Sequence, residues 1–405
     1  MDEREAKPRR GFDGGTPEQT RVALNPLLEL AQFGQSYWID DLSRPMIKSG
    51  ELRRRLTEEG LTGVTVNPAI FHAAIHASDA YDQEIEELAG HRPQEIYEAL
   101  IVADVRGACD VLRPVYDRTD GGDGFVSLEV SPHLARNASA SIAEARRLWQ
   151  AVARPNLFIK IPGTIEGVAA VEGLLSEGIN INITLLFAVD RYQEVAGAYM
   201  NALERRKAAS KPLARVASVA SFFLSRIDTA VDEQLRQRIA SGMPQAERLL
   251  GKCAIANARL AYRRFRELCS SERWRLLEAA GARPQRLLWA STSTKNPSYD
   301  DLMYVEPLIG PHTINTLPRK TSAAFADHGK AAATLEQGLD EAIEILRDLA
   351  TVGIDLSQVT RQLLDEGIEK FVESYDDVLH TITAKSAGRA ESGQGTSAAA
   401  RRPSA

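Results

Sequence analysis

A single charged residue interrupts one of the most apolar segments of the chain. In NLFIKIPGT (156–164), Lys160 stands among leucine, phenylalanine and isoleucine side chains. An unpartnered lysine ammonium is unfavourable in an apolar interior, whereas burial favours the neutral amine, which is the nucleophilic form. Lys160 is therefore a candidate for Schiff-base formation with a carbonyl substrate. The alternative is a structural lysine that forms an ion pair with Glu129 or Asp40.

Other strand-like segments carry carboxylate, amide and hydroxyl groups in comparable positions. Side chains alternate between the two faces of a strand, so these polar residues lie opposite their Val, Ile and Leu neighbours. If the apolar face packs against helices, the polar face points inward, and we expect its members to lie near the carboxyl ends of their strands. The inward polar residues are Asp40, Thr65, Asn67, Ser127, Glu129, Lys160, Asn180, Asn182 and Thr184.

This set of groups suits carbon–carbon bond chemistry through an imine. The imine of Lys160 would be an electron sink for cleavage or formation of a neighbouring bond. One group must take a proton from a β-hydroxyl, and another must carry protons during imine formation and hydrolysis. Asp40 and Glu129 in different surroundings could divide these roles.

Eight strand-like runs alternate with helical patterns, which predicts an α/β fold with a parallel sheet. Eight such units favour a closed (β/α)8 TIM barrel. A doubly wound open sheet is the alternative, but no GxGxxG follows the first run. The runs are residues 36–40, 63–67, 125–130, 157–161, 180–185, 216–221, 286–291 and 312–317.

The two ends of the chain differ from its middle. Segments 334–354 and 357–382 read as two additional C-terminal helices, which could pack across either end of the barrel. We expect one barrel domain over residues 28–385. Residues 1–27 and the Ser/Gly/Ala-rich tail 386–405 offer little apolar area and are predicted to be disordered.

Composition excludes several classes of function. The 405 residues are 44% hydrophobic and carry a net charge of −6, which argues against a general nucleic-acid binder. No apolar run is long enough for a membrane helix, and the first residues lack the core of a signal peptide. The three cysteines form no CxxC pair, which favours a reducing compartment and a cytoplasmic location.

Metal and cofactor motifs are missing from the sequence. His72 and His76 have the spacing of metal ligands on a helix, but they lack an intervening glutamate and an obvious third ligand. We therefore predict no metal site.

The motifs, taken together, resemble those of transaldolases, in particular the longer bacterial-type subfamily, over residues 30–380. They run in the order found in that family. They are SYWIDDLSR, GVTVNPAIF, GFVSLEVSP, NLFIKIPGT, GININITLLFAVDRY, SVASFFLSRIDTAVD and LLWASTSTKNP.

The resemblance implies a class I aldolase barrel of the pentose phosphate pathway that uses no metal or organic cofactor. Such enzymes move a dihydroxyacetone unit from a ketose phosphate, sedoheptulose 7-phosphate or fructose 6-phosphate, to an aldose phosphate. It implies that Lys160 forms the Schiff base, that Asp40 is the acid/base, and that Glu129 works through a bound water that Thr184 helps to hold.

The resemblance also implies a substrate-binding set. Asn67 and Asn182 correspond to residues that position substrate hydroxyls, and we add Thr65 on its inward orientation. Ser221 and Arg226 correspond to a phosphate-binding pair, Phe223 to a ring that lines the pocket, and Lys295 to a second cation for the phosphate. The alternative for Arg226 is a surface arginine paired with Asp228 or Asp232.

The chain departs from the family pattern at several places. Val66 and Gly163 replace residues that are common in the family, but neither replacement removes a catalytic group. Ser131 replaces a common aspartate after the glutamate motif, and Arg319 and Lys320 stand where an acidic residue is usual, which leaves the substrate preference open.

Two other functions remain alternatives to transaldolase. One is a fructose-6-phosphate aldolase that releases dihydroxyacetone to water, and the other is a non-catalytic sugar-phosphate-binding barrel. The expected partners are small sugar phosphates, without nucleic acid or membrane. The sequence leaves the subunit number open, with a homodimer among the alternatives.

Overall fold

The structure, a computed structural model, describes residues 25–397. Eight parallel strands form a closed barrel in which each strand pairs with its neighbours in chain order and the eighth pairs with the first. The predicted (β/α)8 TIM barrel is confirmed, and the open-sheet alternative is wrong. The strands are β1 (Gln35–Asp40), β2 (Leu61–Thr65), β3 (Phe125–Glu129), β4 (Leu157–Pro162), β5 (Ile181–Leu186), β6 (Ser218–Phe223), β7 (Arg286–Ala290) and β8 (Thr313–Leu317).

Helices surround the barrel and cover the outward Val, Ile and Leu side chains. Those that precede β8 are α1 (Pro26–Glu29), α2 (Arg44–Lys48), α3 (Glu51–Glu58), α4 (Pro68–His76), α5 (Asp82–Glu87), α6 (Pro93–Arg118), α7 (Ala138–Val152), α8 (Ile165–Glu177), α9 (Val189–Ala208), α10 (Ser225–Ala240), α11 (Cys253–Cys269) and α12 (Glu272–Glu278). After β8 come α13 (Arg319–His328), α14 (Leu339–Thr351) and α15 (Leu356–Ser397). In the segment 25–397, no helix is long and apolar enough to cross a membrane.

At the carboxyl ends of β2 and β4, capping side chains start the next helix directly after the strand. Asn67 follows β2, and its Oδ1 accepts a hydrogen bond from the Ile70 N–H, so α4 begins at once after the strand. After β4, the hydroxyl of Thr164 accepts from the Gly167 N–H and caps α8 in the same way. These short connections hold the carboxyl ends of the strands close to helix N-termini.

Aromatic rings fill the N-terminal part of the barrel interior. The rings of Phe125 and Phe158 stack with centroids 4.2 Å apart, and Trp38 packs 6.2 Å from Phe158. A Cβ atom on Gly63 would lie 2.2 Å from the Trp38 ring, so only glycine leaves room for the indole. The rings make this part of the interior mostly apolar, whereas Asp40, Lys160 and Thr184 lie nearer the carboxyl ends of the strands.

One inward prediction falls at the wrong end of the barrel. Asn180 lies just before β5 and not near the carboxyl end of a strand. Its Nδ2 donates to the carbonyls of Pro155 and Leu157, and its Oδ1 accepts from the Ala217 N–H. Because these backbone groups flank the starts of β4 and β6, Asn180 ties adjacent strands together and takes no part in the site.

The two predicted C-terminal helices are present as α14 and α15, and the structure determines where the second one packs. Helix α15 contacts α4, α6 and α10 and also reaches β5, so it crosses the carboxyl end of the barrel. It continues to Ser397 and so enters the tail 386–405, whose disorder stays a prediction. Helix α1 likewise begins at Pro26, inside the predicted extension 1–27.

The other parts of the predicted tails, residues 1–24 and 398–405, lie outside the described residues. We propose that residues 28–385 form one domain, because all eight strands are hydrogen-bonded into the same barrel.

Candidate active site

Lys160 lies inside the barrel, in the middle of β4, with its side chain only 5% exposed. Its Nζ donates to Glu129 Oε2 at 3.2 Å and to the Val66 carbonyl at 3.1 Å. The ring of Phe371, from α15, lies 5.5 Å from Nζ. The ion pair that the structural alternative predicts is therefore present. What that alternative does not explain is the cavity onto which Lys160 opens.

Glu129 projects inward from β3, level with Lys160 in the strand register. Burial raises the pKa of its carboxyl group to about 7, since the loss of hydration outweighs the attraction of Lys160 and its hydrogen bond, and Asp40 adds to the rise. Its Oε1 is buried without a hydrogen-bond partner among the described residues. A carboxyl group with a pKa close to neutral can both donate and accept a proton.

Asp40 ends β1 and is held by hydroxyl groups. The Thr65 hydroxyl donates to Asp40 Oδ1 at 2.6 Å, and Thr65 and Thr316 hydroxyl oxygens lie 2.7 Å apart. Burial raises the pKa of Asp40, while Lys160 and the Thr65 hydrogen bond act in the opposite direction. Asp40 and Glu129 thus occupy different surroundings, as two carboxylates with separate roles require.

These groups meet at a cavity of about 290 Å³ at the carboxyl end of the barrel, which we call the substrate cavity. Both the position and the size are those of a small-molecule site in this fold. Nine of the eleven predicted site residues line it: Asp40, Thr65, Asn67, Lys160, Thr184, Ser221, Phe223, Arg226 and Lys295.

Two cations face one end of the substrate cavity. The guanidinium of Arg226 lies 5.5 Å from the Phe223 ring centroid, and its Nη1 is buried without a partner in the described part of the chain. Lys295 Nζ donates to the Ser293 hydroxyl at 2.7 Å. Burial lowers the pKa of both groups, and the charge of Arg226 further lowers that of Lys295. Such a pair suits an anionic ligand group.

The alternative for Arg226 is wrong. Asp228 instead accepts hydrogen bonds from the Ala254 N–H and the Tyr304 hydroxyl. Asp232 accepts from the Gly251 N–H and the Tyr299 hydroxyl, and its nearest arginine is Arg236.

The remaining polar residues divide between the cavity and the barrel interior. Asn182 does not line the substrate cavity, because its Nδ2 donates to Ser127 and its Oδ1 accepts from Ser221. In Asn67 the cap occupies Oδ1, which leaves the NH2 group as the part able to face a ligand. The Thr184 hydroxyl is buried and makes no hydrogen bond to a described residue.

Sequence reasoning missed several residues of the site. Phe371 lines the substrate cavity from α15, and Thr316 lines it from β8. Ser291, just after β7, also lines it and has a φ of 56°, which is uncommon for a non-glycine residue. Alternation along β8 could have identified Thr316, but no local pattern predicts the contribution of a helix more than fifty residues further on.

The departures from the family pattern have local explanations. Arg319 Nε donates to Asp41 Oδ2 at 2.8 Å, and its Nη1 donates to Glu51 at 2.7 Å, so its charge is balanced beside the cavity. Lys320 is exposed. Ser131 lines a cavity beside the barrel together with Glu144 and Tyr375.

The described residues contain no group of three or more His, Cys, Asp or Glu side chains that could hold a metal ion. His72 and His76 both lie on α4, with ring centroids 5.8 Å apart.

Comparisons with known proteins agree with this geometry. The sequence model of the family described as Transaldolase/Fructose-6-phosphate aldolase matches residues 37–382. The chain is 47% identical over 374 residues to "Transaldolase 2" of Nostoc sp. (strain PCC 7120), which covers 90% of this chain and 98% of that protein. It is 47% identical over 361 residues to "Transaldolase" of Thiobacillus denitrificans, covering 89% of this chain and 100% of the relative.

A third relative, "Transaldolase" of Acidothermus cellulolyticus, is 48% identical over 362 residues, which is 89% of this chain and 96% of the relative. The matches extend over all eight strands and most of α15, and therefore over the whole substrate cavity. The chain belongs to the transaldolase/fructose-6-phosphate aldolase family.

Proposed function

We propose that the enzyme, a transaldolase, transfers a dihydroxyacetone unit from sedoheptulose 7-phosphate to glyceraldehyde 3-phosphate, giving erythrose 4-phosphate and fructose 6-phosphate. The observation that carries this proposal is the position of Lys160. Its amine is buried beside Glu129 and opens onto a cavity that also holds Asp40 and two cations.

The reaction begins with attack of the neutral Lys160 amine on the ketose carbonyl carbon. The carbonyl oxygen receives one proton from the attacking nitrogen and a second from an acid and then leaves as water, and an iminium remains on Nζ. Glu129 is suited to supply this second proton, because its pKa of about 7 leaves a large fraction of the carboxyl protonated near neutral pH. By resemblance to the family, a water held with the help of Thr184 carries the proton.

Carbon–carbon cleavage requires a base on the β-hydroxyl of the substrate, which lies two carbons from the iminium carbon. Asp40 takes that proton, the bond to the imine-bearing fragment breaks, and its electrons move into the iminium. The Thr65 hydrogen bond fixes the Asp40 carboxylate in one orientation. When the aldose phosphate acceptor enters, the same steps run in reverse.

The phosphate group is held at the cation end of the substrate cavity. Arg226 binds two phosphate oxygens through charge-assisted hydrogen bonds, Lys295 adds a second charge, and Ser221 turns its hydroxyl proton from Asn182 toward the phosphate. Phe223 packs along the substrate beside Arg226. Asn67 binds a substrate hydroxyl directly, while Asn182 acts by orienting Ser221.

The partners are therefore sugar phosphates, and we propose a cytoplasmic enzyme, since its three free cysteines suit a reducing compartment. A homodimer is our expectation for the assembly, to be measured by sedimentation. No cofactor has a part in the proposed steps.

The test is turnover of fructose 6-phosphate with and without erythrose 4-phosphate as acceptor. The proposal predicts that sedoheptulose 7-phosphate forms only when the acceptor is present, and that without acceptor the release of glyceraldehyde 3-phosphate stops at about one equivalent per active site. Release of free dihydroxyacetone at a comparable rate without acceptor would instead identify an aldolase. Tight binding of fructose 6-phosphate without any turnover would identify a non-catalytic barrel.

A further inference from the structure

We propose that a second cavity in the side of the barrel carries water and protons to and from Glu129 while a sugar phosphate fills the substrate cavity. This lateral cavity has a volume of about 1030 Å³ and lies between α6, α7 and α15. Residues Glu129, Ser131, Tyr97, Glu144 and Tyr375 are part of its wall. The inference rests on the Schiff-base function proposed above.

Glu129 separates the two cavities. It is part of the wall of the lateral cavity and not of the substrate cavity, whereas its neighbour Lys160 lines the substrate cavity. Its Oε2 contacts Lys160 Nζ. Its Oε1 is buried and has no partner among the described residues. One residue therefore contacts the reacting amine and also lines a space outside the barrel.

Polar groups continue from Glu129 toward the surface. Ser131 follows β3 and lines the lateral cavity together with Glu144 and Tyr375. At the outer rim, Arg147 has a half-exposed side chain that pairs with Glu98 and Glu144. Much of the cavity wall is apolar, but these polar side chains offer water molecules the donors and acceptors that buried waters require.

The chemistry needs this connection. In each cycle the amine nitrogen bonds to the carbonyl carbon and passes one proton to the carbonyl oxygen, which leaves as water after receiving a second proton from Glu129. Hydrolysis of the imine takes back one water and returns one proton. A ligand cavity of only about 290 Å³ is largely filled by its ligand, and Phe371 covers it from α15. The lateral cavity reaches the same carboxyl group from the other side.

The test is a variant in which larger side chains fill the lateral cavity while every residue of the substrate cavity is kept. The double variant Ala99→Trp/Ala143→Trp places two indole rings in it, one from α6 and one from α7. The matched control, Ala103→Trp/Gln150→Trp, changes exposed positions of the same two helices that do not line it. The measurement is incorporation of ¹⁸O from labelled water into the C2 carbonyl of fructose 6-phosphate, since each cycle of imine formation and hydrolysis exchanges that oxygen.

We expect the filled variant to exchange oxygen about tenfold more slowly than wild type, and the control to exchange at the wild-type rate. Borohydride trapping at equilibrium should be equal in all three. Tyr375→Phe, which removes a hydroxyl without adding volume, is the second variant and should also slow exchange. Wild-type exchange in Tyr375→Phe and in a folded filled variant would overturn the inference. A wild-type enzyme that neither traps nor exchanges would instead overturn the Schiff-base function.

Discussion

The hydroxyl of Thr65 lies 2.6 Å from Oδ1 of Asp40, and it touches the Thr316 hydroxyl on its other side. Three adjacent strands, β8, β1 and β2, thus contribute to one short chain of hydrogen bonds that ends on the proposed base. Because a hydrogen bond stabilises the ionised carboxylate, Thr65 keeps Asp40 both oriented and available to accept a proton.

Replacement of this hydroxyl should slow cleavage without preventing imine formation. A hydrogen bond to a charged group contributes about 1.5–3 kcal/mol, so Thr65→Val is expected to lower kcat by about tenfold to a hundredfold. It should also raise the pKa of the acidic limb of the pH–rate profile. Thr65→Ser, which keeps the hydroxyl, is the control. An unchanged profile in Thr65→Val would remove Thr65 from the mechanism.

The cation end of the cavity should discriminate phosphorylated from unphosphorylated ketoses. Arg226→Gln is expected to raise KM for fructose 6-phosphate by about tenfold or more, because a bidentate charge-assisted contact is lost, with much less effect on fructose. Arg236 lies on the same helix but pairs with Asp232 at the surface, so Arg236→Gln should leave the preference unchanged. Equal losses for the two sugars in Arg226→Gln would argue against a phosphate site.

Helix α15 packs tightly against the barrel at Gly367. A Cβ atom there would lie 2.9 Å from Leu185 Cδ2 and 3.3 Å from Arg226 Nη1. Replacing glycine by alanine in a helix normally stabilises by about 1 kcal/mol. Gly197→Ala on α9, where nothing lies within 4 Å, should show this gain. Gly367→Ala should not, and it should weaken binding of fructose 6-phosphate by displacing α15 or Arg226.

Thermal unfolding and KM of the two alanine variants test this contact. Equal stabilisation of both variants, with unchanged KM, would show that α15 can shift to accommodate the added methyl group without disturbing the site.

Glu129 should make the folded state less stable as the pH rises. The unfolded chain releases this proton near pH 4.5, whereas the folded protein retains it to about 7. Between these values the folded state binds more protons, so the free energy of unfolding falls with increasing pH. Glu129→Gln lacks this dependence. Its stability relative to wild type is therefore expected to rise by about 3 kcal/mol from pH 4 to pH 8, at about 1.4 kcal/mol for each unit of pKa shift.

Urea denaturation of both proteins at several pH values measures the difference. A constant difference across this range would mean that Glu129 has an ordinary pKa.

Strand alternation predicted most of the site because it is a local property. It placed Lys160, Glu129 and Asp40 inside the barrel, and the strand register then brings Lys160 and Glu129 to the same level. It failed for Asn180, since alternation gives the face of a residue but not its height along the strand. The contribution of Phe371 and the separation of Glu129 from the substrate cavity depend on how distant helices pack, which no local pattern encodes.

The family resemblance implied a role for each site residue, and the contacts in the structure refine some of these roles. Arg226 and Lys295 face one cavity, as the resemblance implied. Asn182, by contrast, has both ends of its amide occupied by Ser127 and Ser221, so a direct contact with substrate would require one of these bonds to break. Only the packed barrel distinguishes a residue that lines the cavity from one that supports its wall.

Mass spectrometry of the enzyme after borohydride reduction in the presence of fructose 6-phosphate tests the proposed nucleophile. The wild-type protein should gain a reduced ketose adduct, and the peptide that carries it should contain Lys160. Lys160→Ala should neither be trapped nor turn over, whereas Asp40→Asn should be trapped but cleave slowly. An adduct on another lysine, or normal turnover by Lys160→Ala, would contradict the assignment of Lys160 as the Schiff-base residue.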